Sequence, residues 1–209
     1  AYRRQRQMCI RDRVLYNNQP GTVWGPEGEF VSAPRLDDLA CVFACTEGFL
    51  TAQERDMVPV LCVFDNEEIG SETKQGAASV FLPETLAAIS EALGLSAADH
   101  RALLADSMML SCDNGHARHP NHPELADTNE APVPNGGVVV KHSPRYATDG
   151  VSAAVFTELC RRTEVPVQHY ANRPDQMGGA TLGNIADTKL PIPTVDIGMA
   201  QLAMHSCFE

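Results

Sequence analysis

The sequence predicts an α/β protein, a layered sheet with helices on both faces, from three observations. Short apolar runs rich in β-branched residues alternate with helical patterns along nearly the whole chain. Of 209 residues, 44% are hydrophobic and 21% charged, enough for one sizeable core, as one domain or one and a fragment of a second. The apolar runs fall well short of the roughly 20 residues that span a bilayer and have the length of strands buried on both faces.

In order, residues 1–13 (AYRRQRQMCIRDR) hold five of the sixteen cationic residues, Arg3, Arg4, Arg6, Arg11 and Arg13, and do not resemble the rest of the chain. The string looks like translated sequencing-adapter read-through, so it is read as a non-native extension and excluded from fold reasoning. A helix is expected over Leu36 to Thr51, then a buried strand over Val58 to Phe64 (VPVLCVF). In a helix over Ser79 to Leu93, Leu82, Leu86, Ile89 and Leu93 recur at helical spacing and predict a core-facing stripe. Further strands are expected at Ser107–Cys112, Gly137–Lys141, Val165–Tyr170 and Ile192–Ile197, with helices over Val151–Thr163 and opening near Thr181. The Pro-rich stretch from Pro120 to Pro134 reads as a long loop of the kind that tends to be functional.

Charge and cysteine usage narrow the function. A net charge of −11 repels a nucleic-acid backbone, and no apolar stretch reads as a signal peptide or membrane span. Cys9, Cys41, Cys45, Cys62, Cys112, Cys160 and Cys207 are odd in number, scattered, and never spaced C-x-x-C. They read as reduced thiols of a cytoplasmic protein rather than a disulfide framework or thiolate zinc knuckle.

In open α/β sheets ligands bind beyond the carboxyl ends of the strands, and here those ends are rich in carboxylates and imidazoles. Asp65-Asn66-Glu67-Glu68-Ile69-Gly70-Ser71 comes after one predicted strand, Asp113-Asn114-Gly115-His116 after another, and Asp196 and then Met204-His205-Ser206 belong to the last. Arg35-Leu36-Asp37-Asp38-Leu39 opens the first helix. Carboxylates gathered at one sheet edge repel one another unless a cation joins them. Oxygen-rich ligation with one or two imidazoles suits zinc or manganese. Two adjacent glutamates can divide the work, one ligating and the other taking a proton from metal-activated water.

Six segments carry a resemblance: RLDDLACVFACTEGFL, VFDNEEIGSETKQGAAS, SCDNGHARHPNH, GGVVVKHSPRYAT, DQMGGATLG and VDIGMAQLAMHSCFE. In this order and spacing, from about Leu15 to Glu209, the chain resembles the M18 family of metallo-aminopeptidases, which includes aspartyl aminopeptidase. The resemblance implies a mixed, largely parallel sheet of the zinc-dependent exopeptidase (phosphorylase/hydrolase-like) type and a two-zinc site. It implies that Asp37 bridges both ions, that Glu68 and His205 complete one, and that Asp113 binds the other. Glu67 is then the general base, and His116, Lys141 and Tyr146 contact a peptide substrate, Tyr146 as an oxyanion donor. The Gly178-Gly179-Ala180-Thr181 turn resembles a loop lining the specificity pocket. His100, His119, His122, His142 and His169 are expected to be structural or solvated.

The resemblance also has departures. Family members carry an H-x-D segment upstream of R-L-D that supplies a zinc-ligating histidine, and no such segment is present here. Asp38 stands where the family usually has Asn. The chain is therefore expected to be a fragment: 14–30 the end of an inserted dimerisation domain, 31–209 a partial catalytic domain, holding one zinc tightly rather than two. The full-length protein is expected to be a cytoplasmic homo-oligomer that removes N-terminal residues, with acidic and neutral residues both open as the preferred class. Two alternatives stand beside this: a catalytically impaired metal-binding fragment, and a metal-dependent deacylase on a related sheet.

Overall fold

A computed structural model describes residues 15–53, 56–176 and 178–209. The extension expected at 1–13 lies outside the described residues. In chain order the elements are β1 (Thr22–Trp24), β2 (Phe30–Ser32), α1 (Leu36–Thr51), a 3-10 turn (Glu67–Ile69), α2 (Phe81–Ala92), α3 (Ala97–Ala105), β3 (Met109–Cys112) and β4 (Gly115–His116). A 3-10 turn (Pro123–Leu125), β5 (Val138–His142), α4 (Gly150–Arg162), β6 (Val167–Ala171), α5 (Leu182–Asp187), β7 (Thr194–Gly198) and β8 (Ala200–Gln201) complete the order. Two compact units result, residues 15–36 with 203–209, and residues 37–202.

In the smaller unit β1 and β2 form an antiparallel hairpin closed at Gly25 and Gly28, both at positive φ, with Trp24 stacked on Phe30 at 4.7 Å. Ala33 and Glu209 exchange backbone hydrogen bonds of 3.0 Å in both directions, tying the two stretches of this unit together.

The larger unit is built on a four-stranded sheet in the order β3-β7-β5-β6. β3 runs parallel to β7 and β5 parallel to β6, while β5 and β7 are antiparallel, so the sheet is mixed and mostly parallel. A short parallel pair, β4 with β8, extends the chain beyond β3 and β7. Every residue of β7 is buried, which requires cover on both faces. Alternation puts Val195 and Ile197 on one face, where they pack with Val140 and with Ala153, Phe156 and Cys160 of α4. Asp196 points to the other face, where α5 lies so close that a Cβ on Gly183 would collide with the Asp196 carboxylate. Helices thus cover both faces, as expected.

Local chemistry sets the helix ends. Asp149 caps α4 by accepting from the N–H groups of Val151 and Ser152, and Ser152 Oγ answers by accepting from Asp149 N–H, a closed capping box. Ser96 and Asp99 build the same device at the start of α3.

Two expectations are corrected. Val58 to Phe64 forms no strand, since no ladder partner lies beside it among the described residues, and Val58 and Val60 are 87% and 57% exposed. β-branched composition favours a pleated, half-buried surface, but the neighbour strand has to supply it. On α2, Leu82 and Leu86 are half-buried as predicted, but Ile89 and Leu93 are 49% and 71% exposed. The buried line runs instead through Ser90, whose hydroxyl shares a 2.8 Å hydrogen bond with His100 Nδ1 of α3, a helix the sequence pattern does not announce.

Removing the Phe156 ring from the α4–sheet core should lower unfolding free energy by about 3–5 kcal/mol in Phe156→Ala. Urea denaturation reads this, and a loss below about 1 kcal/mol, the range of ordinary surface changes, would mean the ring is not part of that core. The hydrogen bonds to Asp149 depress its pKa. Its contribution is therefore complete above the ordinary Asp value of about 3.9 and is lost as pH falls through the lower folded value. Asp149→Asn should soften the acid loss of stability, and superimposable acid limbs for both proteins would contradict the capping role.

Candidate metal centre

The centre forms where the start of α1 meets the end of β3. Leu36–Thr51 is not helical at its opening: Asp37 (φ −86°, ψ 109°) and Asp38 (φ −118°, ψ 28°) depart from helical geometry, and the peptide between them is cis. Both carboxylates face Asp113, and oxygens of Asp37, Asp38 and Asp113 lie within 4.8 Å of one another. Asp38 Oδ1 accepts from the N–H of Asn114 at 3.1 Å. Burial pushes the Asp37 carboxyl up to about 8, and the hydrogen bond with Glu68 and the charges of Asp113, Glu68 and Asp38 add to it. Burial likewise pushes Asp38 up to about 7, against lowering hydrogen bonds from Cys41 and Asn114.

Glu67 and Glu68 sit on a tightly braced loop. Asn66 and Gly70 flank their 3-10 turn in the left-handed region, and Ser71 N–H donates to Asn66 O at 2.9 Å. Asp65 N–H donates to Gln75 O at 3.1 Å, and a side chain on Gly76 would collide with the Ser71 carbonyl, so the loop closes only with glycine there. Successive residues of a 3-10 turn point about 120° apart. Glu68 reaches Asp37, and Glu67, its neighbour on the turn, is half-buried.

Lys141, on β5, is 2% exposed, and its ammonium donates to Asp113 Oδ2 at 3.1 Å and to the Asn114 carbonyl at 2.6 Å. It also lies over the Tyr146 ring, 5.8 Å from the centroid. Burial raises the Tyr146 phenol above its usual range. Asn114, unmarked by sequence reasoning, is a hub: it accepts from Cys41 Sγ at 3.1 Å and donates from Nδ2 to Gln201 Oε1 at 2.6 Å. Asp196, 1% exposed, accepts from Ala147 N–H at 2.5 Å and Thr181 Oγ1 at 2.8 Å, while its own N–H donates to Thr148 Oγ1 at 2.9 Å. It anchors both the segment carrying Tyr146 and the 178–181 turn.

The predicted residues divide accordingly. Asp37, Glu68, Asp113, Lys141 and Tyr146 form a connected set within the larger unit, with Glu67 on the same loop as Glu68. His116 is exposed on β4. His205 belongs to the smaller unit, at φ 68°, with its N–H donating to Glu209 Oε1 at 2.8 Å. Asp38 completes the carboxylate trio, and the Asp-Asp doublet is the sequence signal for it. Of the histidines expected to be structural or solvated, His142 Nε2 and His169 Nδ1 share a 2.9 Å hydrogen bond and His122 pairs with Glu124 at 3.1 Å. A cluster of oxygens this dense, with two carboxyls held up by burial, suits a hard or borderline divalent cation such as zinc.

Fold and site define an α/β protein with a carboxylate-rich centre at the strand ends. The chain matches the family described as "Aminopeptidase I zinc metalloprotease (M18)" over residues 5–209. It belongs to the M18 aminopeptidase family, as the six sequence segments implied. It is 44% identical over 200 residues to the "Probable M18 family aminopeptidase 2" of Clostridium novyi, covering 95% of this chain and 46% of that protein. The chain thus spans about half the length of the curated relatives it matches. The crystal structure of yeast aminopeptidase 1 (Ape1) superposes with a TM-score of 0.82 at 35% identity, covering 92% of this chain and 45% of that one. The S. cerevisiae mApe1 dodecamer gives 0.80 at 34%, covering 92% and 44%. None of the family or relative names describes a deacylase, so that alternative is not favoured. Among the described residues no helix is long and apolar enough to cross a membrane.

Lys141→Met would leave Asp113 and the Asn114 carbonyl without their buried cation. In metal-free buffer it should lower unfolding free energy by about 3–5 kcal/mol, the usual penalty for removing one partner of a buried pair. Urea denaturation measures it, and a change under about 1 kcal/mol, as for an exposed pair, would show that the ammonium does not hold this end of the sheet together.

Proposed function

We propose that the protein to which this chain belongs is a zinc-dependent aminopeptidase that removes N-terminal residues from peptides. The observation that carries this reading is the convergence of Asp37, Asp38 and Asp113, with Glu68 hydrogen-bonded to Asp37 and Glu67 beside it on a rigid loop. Asp37 would be shared by two ions, with Glu68 and His205 serving one and Asp113 the other, as the family resemblance implies, and Asp38 adds a further carboxylate. Zinc, when bound, supplies Lewis acidity for the scissile carbonyl and lowers the pKa of water.

The chain's own groups do the rest. Glu67 takes the proton from the attacking water and returns it to the leaving amine. Glu68, Asp37 and Asp113 keep their oxygens in place, Asp113 through the ammonium of Lys141. Tyr146, whose phenol burial holds above its already high ordinary range, is a hydrogen-bond donor for the developing oxyanion. His116 and Lys141 are further substrate-side groups in this reading, and the surrounding carboxylates attract the substrate's N-terminal ammonium. The dodecameric relative supports a homo-oligomeric assembly for the whole protein, and the odd number and scattered spacing of the cysteines support a cytoplasmic setting. Residues 14–30 are proposed as the end of an inserted dimerisation domain and 31–209 as part of the catalytic domain.

The test is Glu67→Gln in the full-length protein, assayed on N-terminal aminoacyl anilides with zinc content measured in parallel. Turnover should fall roughly 10²–10⁴-fold, the usual contribution of a positioned base, with zinc unchanged, and chelators should abolish activity in the parent. Retained turnover in the variant removes Glu67 from the role of base, and activity indifferent to chelation removes the metallopeptidase reading.

A further inference from the structure

Two histidines meet on the face of the sheet opposite to Lys141. Val140 belongs to the α4 core and Val167 packs against it. Alternation carries the residues two positions further on, His142 and His169, to that same face. β5 and β6 run parallel with Val140 beside His169 and His142 beside Ala171, so the two imidazoles stand on a diagonal at the last rungs of the ladder. His142 Nε2 and His169 Nδ1 share a hydrogen bond of 2.9 Å, and both residues are half-buried. The ring centroids lie 5.2 Å apart, more than the contact by about the width of one ring, so the nitrogens meet head-on. Nitrogens aimed at one another, rather than at a common third point, suit a shared proton and not a chelated metal. β6 is the edge strand of the sheet, and at its end Ala171 N–H donates to the Glu130 carbonyl at 3.3 Å. The end of β5 leads directly into the segment that carries Tyr146.

We propose that His142 and His169 are a proton-operated latch between the end of β5 and the edge strand β6, closed while the pair carries at most one positive charge and open when it carries two. A neutral imidazole has one N–H and one lone pair, so two neutral rings, or an imidazolium beside an imidazole, make the bond. Two imidazoliums present only donors at the facing nitrogens, so the bond is lost and like charges are left in contact. The surroundings disfavour that second charge. Burial and then the charge of His169 hold His142 below the ordinary histidine range, while Glu130 pulls the other way. β7 turns Val195 and Ile197 to this face, and α4 brings Glu158, Arg161 and Arg162, which are bonded to one another, and Asp149, which is engaged in the helix cap. Because the folded value of His142 is depressed, the latch's contribution is complete above the ordinary value of about 6.5 and is lost as pH falls through the lower folded one. Opening frees the strand end from which the Tyr146 segment departs. The latch does not depend on the peptidase reading.

The test is a pH titration of the chain by nitrogen–proton NMR of isotope-labelled histidine, assigned by backbone connectivity, with amide exchange of β6 followed over the same range. His142 should take its proton in a step clearly below the ordinary value of about 6.5, and its Nε2 signal should report loss of the hydrogen bond in that step. Exchange of the β6 amides, corrected for its intrinsic pH dependence, should rise roughly two- to tenfold across the step, the effect of one net hydrogen bond. In His142→Gln the side-chain amide offers both a donor and an acceptor to His169 in either charge state, so the rise should vanish. His142 titrating at the ordinary value, or β6 exchange that stays flat through its step, overturns the proposal. An equal rise in His142→Gln overturns it as well. The titration of the unmutated chain decides the question even if the variant folds poorly.

Discussion

Three carboxylates within 4.8 Å of one another, partly withdrawn from water, are the constraint around which the larger unit is arranged. Like charges at this spacing disfavour ionisation, and burial compounds the effect, which is why the Asp37 and Asp38 carboxyls stand far above their ordinary range. One buried ammonium, that of Lys141, faces Asp113 from β5, the strand beyond β7 in the sheet. A second source of positive charge completes the balance most economically, and a divalent ion is the form the fold's relatives point to. Much of the surrounding architecture acts to keep the trio together: the non-helical opening of α1, the Asn114 hub and the ladder between β3 and β7.

The two faces of β7 carry different duties. One is apolar and packs Val195 and Ile197 against α4, so that the strand ends cannot drift. The other presents Asp196, which is satisfied by donors from two segments that reach the substrate side in the proposed reading, the stretch around Tyr146 and the turn before α5. A buried carboxylate satisfied mainly by neutral donors holds the loops in one relation only while every donor stays in place. Stability and positioning thus share a single strand.

Glu67 and Glu68 show how a backbone separates two chemically identical side chains. The 3-10 turn splays them, and the left-handed positions at Asn66 and Gly70 keep the loop from relaxing into a helix that would realign them. Glu68 joins the carboxylate set through Asp37.

Periodicity and punctuation are enough to identify β3, β5, β6, β7, α4 and α5 within two residues, because these elements bury a regular face and their pattern is local. The acidic motifs and their order point to the family for the same reason: residue type and spacing are written in the chain. Val58–Phe64 and the Ile89–Leu93 half of the α2 stripe mislead because burial depends on which element comes to lie alongside, a long-range fact that no local pattern contains. Lys141 as the partner of Asp113, and Asn114 and Asp196 as hubs, emerge only on folding. Their roles are set by groups 15 to 87 positions away, brought within hydrogen-bonding distance by strand pairing and helix packing.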